Sequence, residues 1–369
     1  MKLLKFLVLA VLACGILPVY AQPSSNVHVW VTGLNGPRGL HWGPDGNLYV
    51  AEAGMGGSTS TAKACTQVIP PVGPYLGGHT GQISKITPSG KRTIVASGFP
   101  STVAAVGDMS GVADVAFLDG TLYALTAGAG CSHGGTLPNG IYKVNLATHT
   151  WSLVANLSHF IQTHPVKYPN EPDFEPDGTF FSMTVFNHRL YAVEPNHGQI
   201  VSIGTDGSMS AVLDVSASEG HIVPTSITEH DGQLYLGNLF VFPIEPTASR
   251  ILTLGYAECS QVAAPGLVDP GSIHSLHILS SKAGFTTVTG VAFGPDGLLY
   301  VLEFSDAAGM PTPGAGKVVR VNHDGSIEEI ATGLVVPTGI TFSPNGKLYV
   351  SNFGAAPPGA GQIVQIDIP

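Results

Sequence analysis

The chain has 369 residues with a formal charge of −10; only 11% are charged, while 47 are glycine and 28 proline. An acidic, lysine-poor surface speaks against nucleic acid and anionic membranes as partners. Composition this rich in glycine and proline excludes a fold of long amphipathic helices and favours short strands joined by tight turns.

The N-terminus reads as a targeting segment. Lys2 and Lys5 precede an apolar run over residues 6–17, and Val19-Tyr20-Ala21 offers small residues at the two positions a signal peptidase reads, which predicts a cleaved signal peptide over 1–21. The run is shorter than the ~20 residues a spanning helix needs, and no later segment is apolar enough to span. The alternative is a lipobox at Val11-Leu12-Ala13-Cys14, with Cys14 lipidated. It leaves an apolar tether over 15–21, so a secreted or periplasmic protein is the favoured expectation. Without Lys2 and Lys5 the charge becomes −12.

The remainder, 22–369, is predicted to be a single domain because it repeats. Leu-Tyr recurs at Tyr49, Tyr123, Tyr191, Tyr235, Tyr300 and Tyr349, and self-similarity at such spacing marks a repeat architecture. The clearest copies are GPRGLHWGPDGNLYVAE (36–52), VTGVAFGPDGLLYVLE (288–303) and VPTGITFSPNGKLYVSN (336–352). Each reads as strand, hairpin and strand, with Asp-Gly or Asn-Gly supplying positive φ. Third strands follow at 81–87, 140–145, 198–204, 250–255, 317–322 and 361–367. Fourth strands are expected at 93–99, 151–157, 209–215, 277–285 and 327–334, and the sixth unit has none. A spare strand, VHVWVTGL (27–34), stands before the first unit. Pairing it with the last unit closes a ring without exposed edges, so the prediction is an all-β, six-bladed β-propeller closed by its N-terminal strand.

Stretches such as GPRGLHWGPDGNLYVAEAG, VPTSITEHDGQLYLGNLFVFP, AGFTTVTGVAFGPDGLLYVLEF and VPTGITFSPNGKLYVSNFG resemble the ScyD/ScyE family. These are exported propellers named from cyanobacterial scytonemin gene clusters and related to NHL and SMP-30/gluconolactonase propellers. The resemblance is strong in units 1, 4, 5 and 6 and weak in unit 2. In unit 3, Phe186-Asn187-His188 replaces the usual hairpin. It implies fold and export; the family's biochemical activity is largely unassigned.

Insertions at 53–80, 127–139, 239–248, 304–315 and 353–360 follow second strands, and 160–178 precedes a first strand, which puts all of them on one face. Insertion 257–274 is expected on the other face. Loops on a rigid scaffold carry function, so the site is expected at that elaborated mouth. Three residues beyond each Leu-Tyr tyrosine stand Glu52, Thr126, Glu194, Asn238, Glu303 and Asn352. Read as converging on the axis, Glu52, Glu194, Asn238, Glu303 and Asn352 form a candidate Ca²⁺ set, since hard cations take carboxylate and amide oxygens. The SMP-30-like resemblance implies an axial metal of this kind. The competing reading has these side chains capping backbone groups or trapped water. Arg38, Asp114, Thr126, Thr225, Thr289 and Thr338 are the candidate ligand-binding residues at the mouth.

No catalytic residue is assigned, because no Gly-x-Ser-x-Gly elbow, phosphate-binding loop or His-Glu-x-x-His helix occurs. His41, His79, His133 and His221 lie in or near the elaborated face and could serve as a general base. Cys65 and Cys131, in neighbouring insertions, are expected to form a disulfide in an oxidising compartment. Two functions remain open. One is a monomeric scaffold binding a small molecule, glycan or exported protein; the other is a Ca²⁺-assisted hydrolase of gluconolactonase type.

Overall fold

The computed structural model describes residues 22–169, 174–256 and 275–369. The predicted signal peptide with Cys14, and insertion 257–274 with Cys259, lie outside the described residues.

The sheets form a six-bladed β-propeller. The chain first lays down β1 (Val27–Leu34), which it uses last. Blade 1 is β2 (Pro37–Trp42), β3 (Leu48–Glu52), β4 (Leu76–Ile86) and β5 (Arg92–Val103), with a short β6 (Met109–Ser110) at its edge. Blade 2 is β7 (Val112–Leu118), β8 (Thr121–Thr126), β9 (Gly140–Asn145) and β10 (Thr150–Asn156), followed by α1 (Leu157–Thr163). Blade 3 is β11 (Ser182–Phe186), β12 (Arg189–Glu194), β13 (Gln199–Ile203) and β14 (Met209–Asp214), followed by α2 (Val215–Glu219). Blade 4 is β15 (Pro224–His230), β16 (Gln233–Asn238), β17 (Ser249–Tyr256) and β18 (Leu276–Phe285). Blade 5 is β19 (Val288–Phe293), β20 (Leu299–Glu303), β21 (Gly316–Val321) and β22 (Ile327–Leu334). Blade 6 is β23 (Gly339–Phe342), β24 (Leu348–Asn352) and β25 (Gly361–Ile366), and β1 pairs antiparallel with β25 as its outermost strand. The expected closure is therefore the observed one.

The repeated tyrosine joins blade to blade. Tyr49 meets Phe117, Tyr235 meets Phe293, Tyr300 meets Phe342 and Tyr349 meets Trp42, each ring pair edge-on across a blade boundary. Edge-to-face geometry sets the positive ring edge against the negative face of its neighbour and adds about 0.5–1.5 kcal/mol to the burial. In blade 2, Tyr123 packs against Met183 and Val185 of the next blade instead.

Two hairpin chemistries occur. In the Pro-Asp-Gly and Pro-Asn-Gly turns only the glycine has positive φ (Gly46 +73°, Gly297 +72°, Gly346 +81°). These are type I turns ending in a left-handed glycine. Asp119-Gly120, Asn187-His188 and Asp231-Gly232 have positive φ at both positions, as a two-residue type I′ turn requires. Asn187-His188 is thus a hairpin after all, lacking only the glycine that would make it recognisable.

Several strand boundaries differ from expectation. Blade 1's outer hairpin is longer than predicted, with β4 beginning inside the supposed loop and β5 running past Phe99 to Val103. Gly77 permits this, since a Cβ there would lie 2.5 Å from the Gly134 carbonyl of the next blade's insertion. The fourth strands of blades 2 and 3 stop one residue early. Asn156 and Asp214 each accept a hydrogen bond from a backbone N–H three residues on, at 2.9 Å, and so start α1 and α2.

Candidate functional site

The ring of residues that ends the second strands does not gather at the axis. Glu52 is fully buried, accepts Arg92 Nη2 on both oxygens at 2.7 and 2.8 Å, and accepts Asn35 N at 2.8 Å. Glu194 accepts Thr179 N at 2.9 Å and His197 N at 2.6 Å. Glu303 accepts Thr286 N at 2.9 Å, and Asn352 accepts Val335 N at 2.7 Å. Asn238 donates to Ile222 O at 2.9 Å and accepts Arg250 N at 2.8 Å. All five hold the backbone link that leads into their own blade's first strand. Thr126 accepts Gly140 N at 3.0 Å and so bonds the third strand of its blade.

These hydrogen bonds are those of the capping reading. A strand's side chains leave from the two faces of its sheet, and the blades stand edge-on to the axis, so a second-strand side chain points toward a neighbouring blade and not into the channel. Glu52 is neutralised by Arg92, and Glu303 Oε2, which has no hydrogen bond, lies 3.6 Å from Lys317 Nζ, so a cation already stands beside each of these two carboxylates and they do not fit a calcium site. Among the described residues, no group of three or more His, Cys, Asp or Glu is placed to hold a metal ion.

The predicted mouth residues other than Thr126, joined by Ser182 of blade 3, form a belt around the axis. Ser182 Oγ donates to Thr225 O at 2.7 Å, Thr225 Oγ1 to Val288 O at 2.6 Å, Thr289 Oγ1 to Pro337 O at 3.0 Å and Thr338 Oγ1 to Pro37 O at 2.6 Å. Each bond crosses to the next blade. Arg38 donates to Met109 O, next to β7, and its guanidinium lies 3.5 Å from Asp108. Asp114 completes the circle by accepting Met183 N of blade 3 at 2.8 Å. The three threonines therefore spend their hydroxyls on the ring itself.

Asp114 does more than close the belt. Its other oxygen accepts Val115 N at 2.8 Å and lies 3.7 Å from His41 Nε2 of blade 1. The carboxylate reaches blade 1 because residue 39 is glycine; a Cβ there would fall 1.9 Å from Asp114 Oδ1. Asp114 and His41 share the wall of an axial cavity of about 330 Å³ bounded by the inner strands. This chamber extends toward the hairpin ends of those strands, at His230, Phe293 and Phe342. A second chamber of about 110 Å³, with Arg38, Asp108 and Thr179 on its wall, lies toward the insertions, and Phe181 and Thr338 border both.

Burial pushes the Asp114 carboxyl above its ordinary value, opposed by His41 and by the Met183 and Val115 amides. The folded state then holds this proton more tightly than the unfolded chain. Its contribution is complete below the ordinary carboxyl range near about 4 and is lost as pH rises through the folded value. Asp114→Asn, which keeps an acceptor oxygen, is expected to gain stability relative to wild type as pH rises. Denaturant midpoints at about pH 4 and about pH 8 measure this; a difference that stays constant would show that Asp114 carries no such cost.

The insertions form a cap with its own joints. Cys65 and Cys131 are disulfide-bonded, with Cα atoms 6.1 Å apart. Tyr75 donates to Glu175 at 3.1 Å, Glu175 lies 3.1 Å from His133 Nε2, and Ser132 Oγ donates to Asp177 at 2.6 Å. All five side chains are buried, which places the serine and histidine inside the cap. Sequence reasoning missed this cluster because its members come from three separate insertions. Insertions of blades 4 and 5 meet through an antiparallel bridge between Ile244 and Gly309. Of the candidate histidines, His41 alone lines the channel, His133 is inside the cap and His79 is exposed.

No family model and no curated protein matches the chain. Solved structures share its fold. A gluconolactonase from Xanthomonas campestris has a TM-score of 0.52 at 10% identity, covering 93% of this chain and 89% of its own. An auxiliary nutrient binding protein from Bacteroides thetaiotaomicron gives 0.53 at 10% identity, covering 92% and 76%. A glucose dehydrogenase gives 0.54 at 13% identity, covering 93% and 99%. At these identities the likeness is one of architecture, the six-bladed β-propeller, and assigns no activity.

Proposed function

We propose that this chain is an exported propeller of the ScyD/ScyE type that binds a small molecule in its axial cavity. The observation that carries the reading is the chamber of about 330 Å³ with a buried carboxylate in its wall, a volume at the lower end of small-molecule sites. A carboxylate costs free energy to bury, and this one is kept beside open space. Export is supported by the Cys65–Cys131 disulfide, since such bonds persist in oxidising compartments. The nutrient binding protein and the gluconolactonase sharing the fold are compatible with a binder and with a hydrolase alike.

The test is thermal-shift screening of the purified chain against amines, carboxylates, sugars and lactones, repeated with Thr341→Trp, which fills the channel. Hits that vanish in Thr341→Trp are expected. Hits indifferent to it would move the site out of the channel. His41 beside Asp114 favours one second reading, a hydrolase in which the imidazole accepts a proton from water. Lactone turnover lost in His41→Gln would establish it, and its sensitivity to chelation would decide whether a metal takes part.

A further inference from the structure

The charge inventory of the cavity goes one step further, resting on the reading that the channel binds a small molecule. Its wall carries two carboxylates, Asp114 and Glu229, two histidines, His41 and His230, and neither lysine nor arginine. Each Asp114 oxygen accepts one backbone N–H, which leaves lone-pair capacity on both. Ser226, whose buried hydroxyl has no hydrogen-bond partner, stands on the same wall. Toward the hairpin ends the surface turns aromatic, with Phe293 stacked on His230 at 3.8 Å between ring centroids and Phe342 nearby. Aromatic faces attract cations.

The approach has the same sign. Four of the inner hairpins carry aspartates at their tips, Asp45, Asp119, Asp231 and Asp296. Asp231 is 88% exposed, while Asp45 and Asp296 are only loosely countered by Lys85 at 3.9 Å and Arg320 at 3.7 Å. The basic residues of the remaining two hairpins point away, Arg189 to Ser202 and Ser208 and Lys347 to Gln365 on the outer strands. Like-signed charge around a low-dielectric mouth concentrates the opposite ion.

We propose that the axial cavity selects a small organic cation, an ammonium held against Asp114 with its apolar part against Phe293 and Phe342. The experiment is calorimetric titration of the mature chain with benzylamine, benzyl alcohol and benzoate, which share a skeleton and differ in charge. Benzylammonium is expected to bind at least ~10-fold more tightly than the other two, about 1.4 kcal/mol. Asp114→Asn should abolish the preference. Glu229→Gln, at an exposed position where the amide oxygen can still accept Gly232 N, should weaken the ammonium a few-fold and reduce the salt dependence of its binding. Equal or tighter binding of the alcohol or benzoate, lost in Thr341→Trp, would overturn the cation preference and leave the cavity reading standing. Ammonium binding that survives Thr341→Trp, Asp114→Asn and Glu229→Gln together would overturn both. No heat from benzylamine at millimolar concentration would overturn the proposal, and the panel screen would then judge the cavity by itself.

Discussion

A chain lacking residues 22–34 is expected not to form the ring. The segment contributes β1, whose residues from Val27 to Leu34 pair with β25 between Gly361 and Ile366. Leu34 and Val31 are buried with Leu40, Val50, Tyr349 and Ile363, and Trp30 sits 4.8 Å from the Tyr349 ring and 6.3 Å from Trp42. Ser24 and Asn26 add hydrogen bonds to Thr332, Ile330 and Asp367. Burying two aliphatic side chains and part of a tryptophan is worth on the order of 5 kcal/mol, against a whole-protein stability of about 5–15 kcal/mol. Deletion also leaves β25 as a bare edge beside buried Val364 and Ile366, an invitation to aggregation. The readout is the yield of monomer and its melting temperature, with a synthetic peptide of residues 22–34 added in trans. Restoration by the peptide is the expected result; a truncated chain that melts where the full chain does would refute closure by β1.

The ring was legible because its information is written several times. A single Leu-Tyr strand is ambiguous, but six in register, with a complementary strand at the opposite terminus, leave one topology. Features written once were not legible. The extension of β4 and β5 depends on Gly77 lying against another blade's backbone, and the buried cluster of Tyr75, His133 and Glu175 unites segments 42 to 100 residues apart. No local pattern encodes either.

The candidate site was half legible for a different reason. The repeat groups positions but says nothing of the direction in which their side chains point. Glu52, Glu303 and Asn352 sit at matching positions because all blades but the second fasten the entering link this way, so the repeat that made them conspicuous is also what makes them structural. The same holds for Thr225, Thr289 and Thr338. Asp114 pairs with Leu125 as Gly290 does with Leu302 and Gly339 with Ser351, so it stands where those blades place glycine, and it is this deviation from the repeat that marks the channel. His230 and Phe293, at hairpin ends of inner strands, carry no such mark in the sequence, because their place in the channel follows from the ring and not from any insertion.

Gly39→Ala is expected to damage the ring and the cavity together. Residue 39 does not need a left-handed conformation; it needs empty space. An added Cβ would lie 1.9 Å from Asp114 Oδ1, 2.4 Å from its Cγ and 3.0 Å from its Cα. The carboxylate would have to leave, giving up Met183 N and with it the bond between blades 2 and 3. Overpacking of this kind costs about 1–3 kcal/mol, and a buried amide left without its acceptor adds ~1–3 kcal/mol. The control is Gly98→Ala, where nothing lies within 4 Å and only the strain of φ +81° is felt. Combining Gly39→Ala with Asp114→Ala removes the clashing atoms, so the double variant should be more stable than the two single effects added together, by a coupling of ~0.5–3 kcal/mol. The 3.0 Å contact to the Asp114 Cα remains, and rescue should be partial for that reason. Purely additive single effects would mean that Gly39 acts through something other than Asp114. A shared effect in which benzylamine binding falls in Gly39→Ala but not in Gly98→Ala would tie the glycine, the buried carboxylate and the channel into one unit.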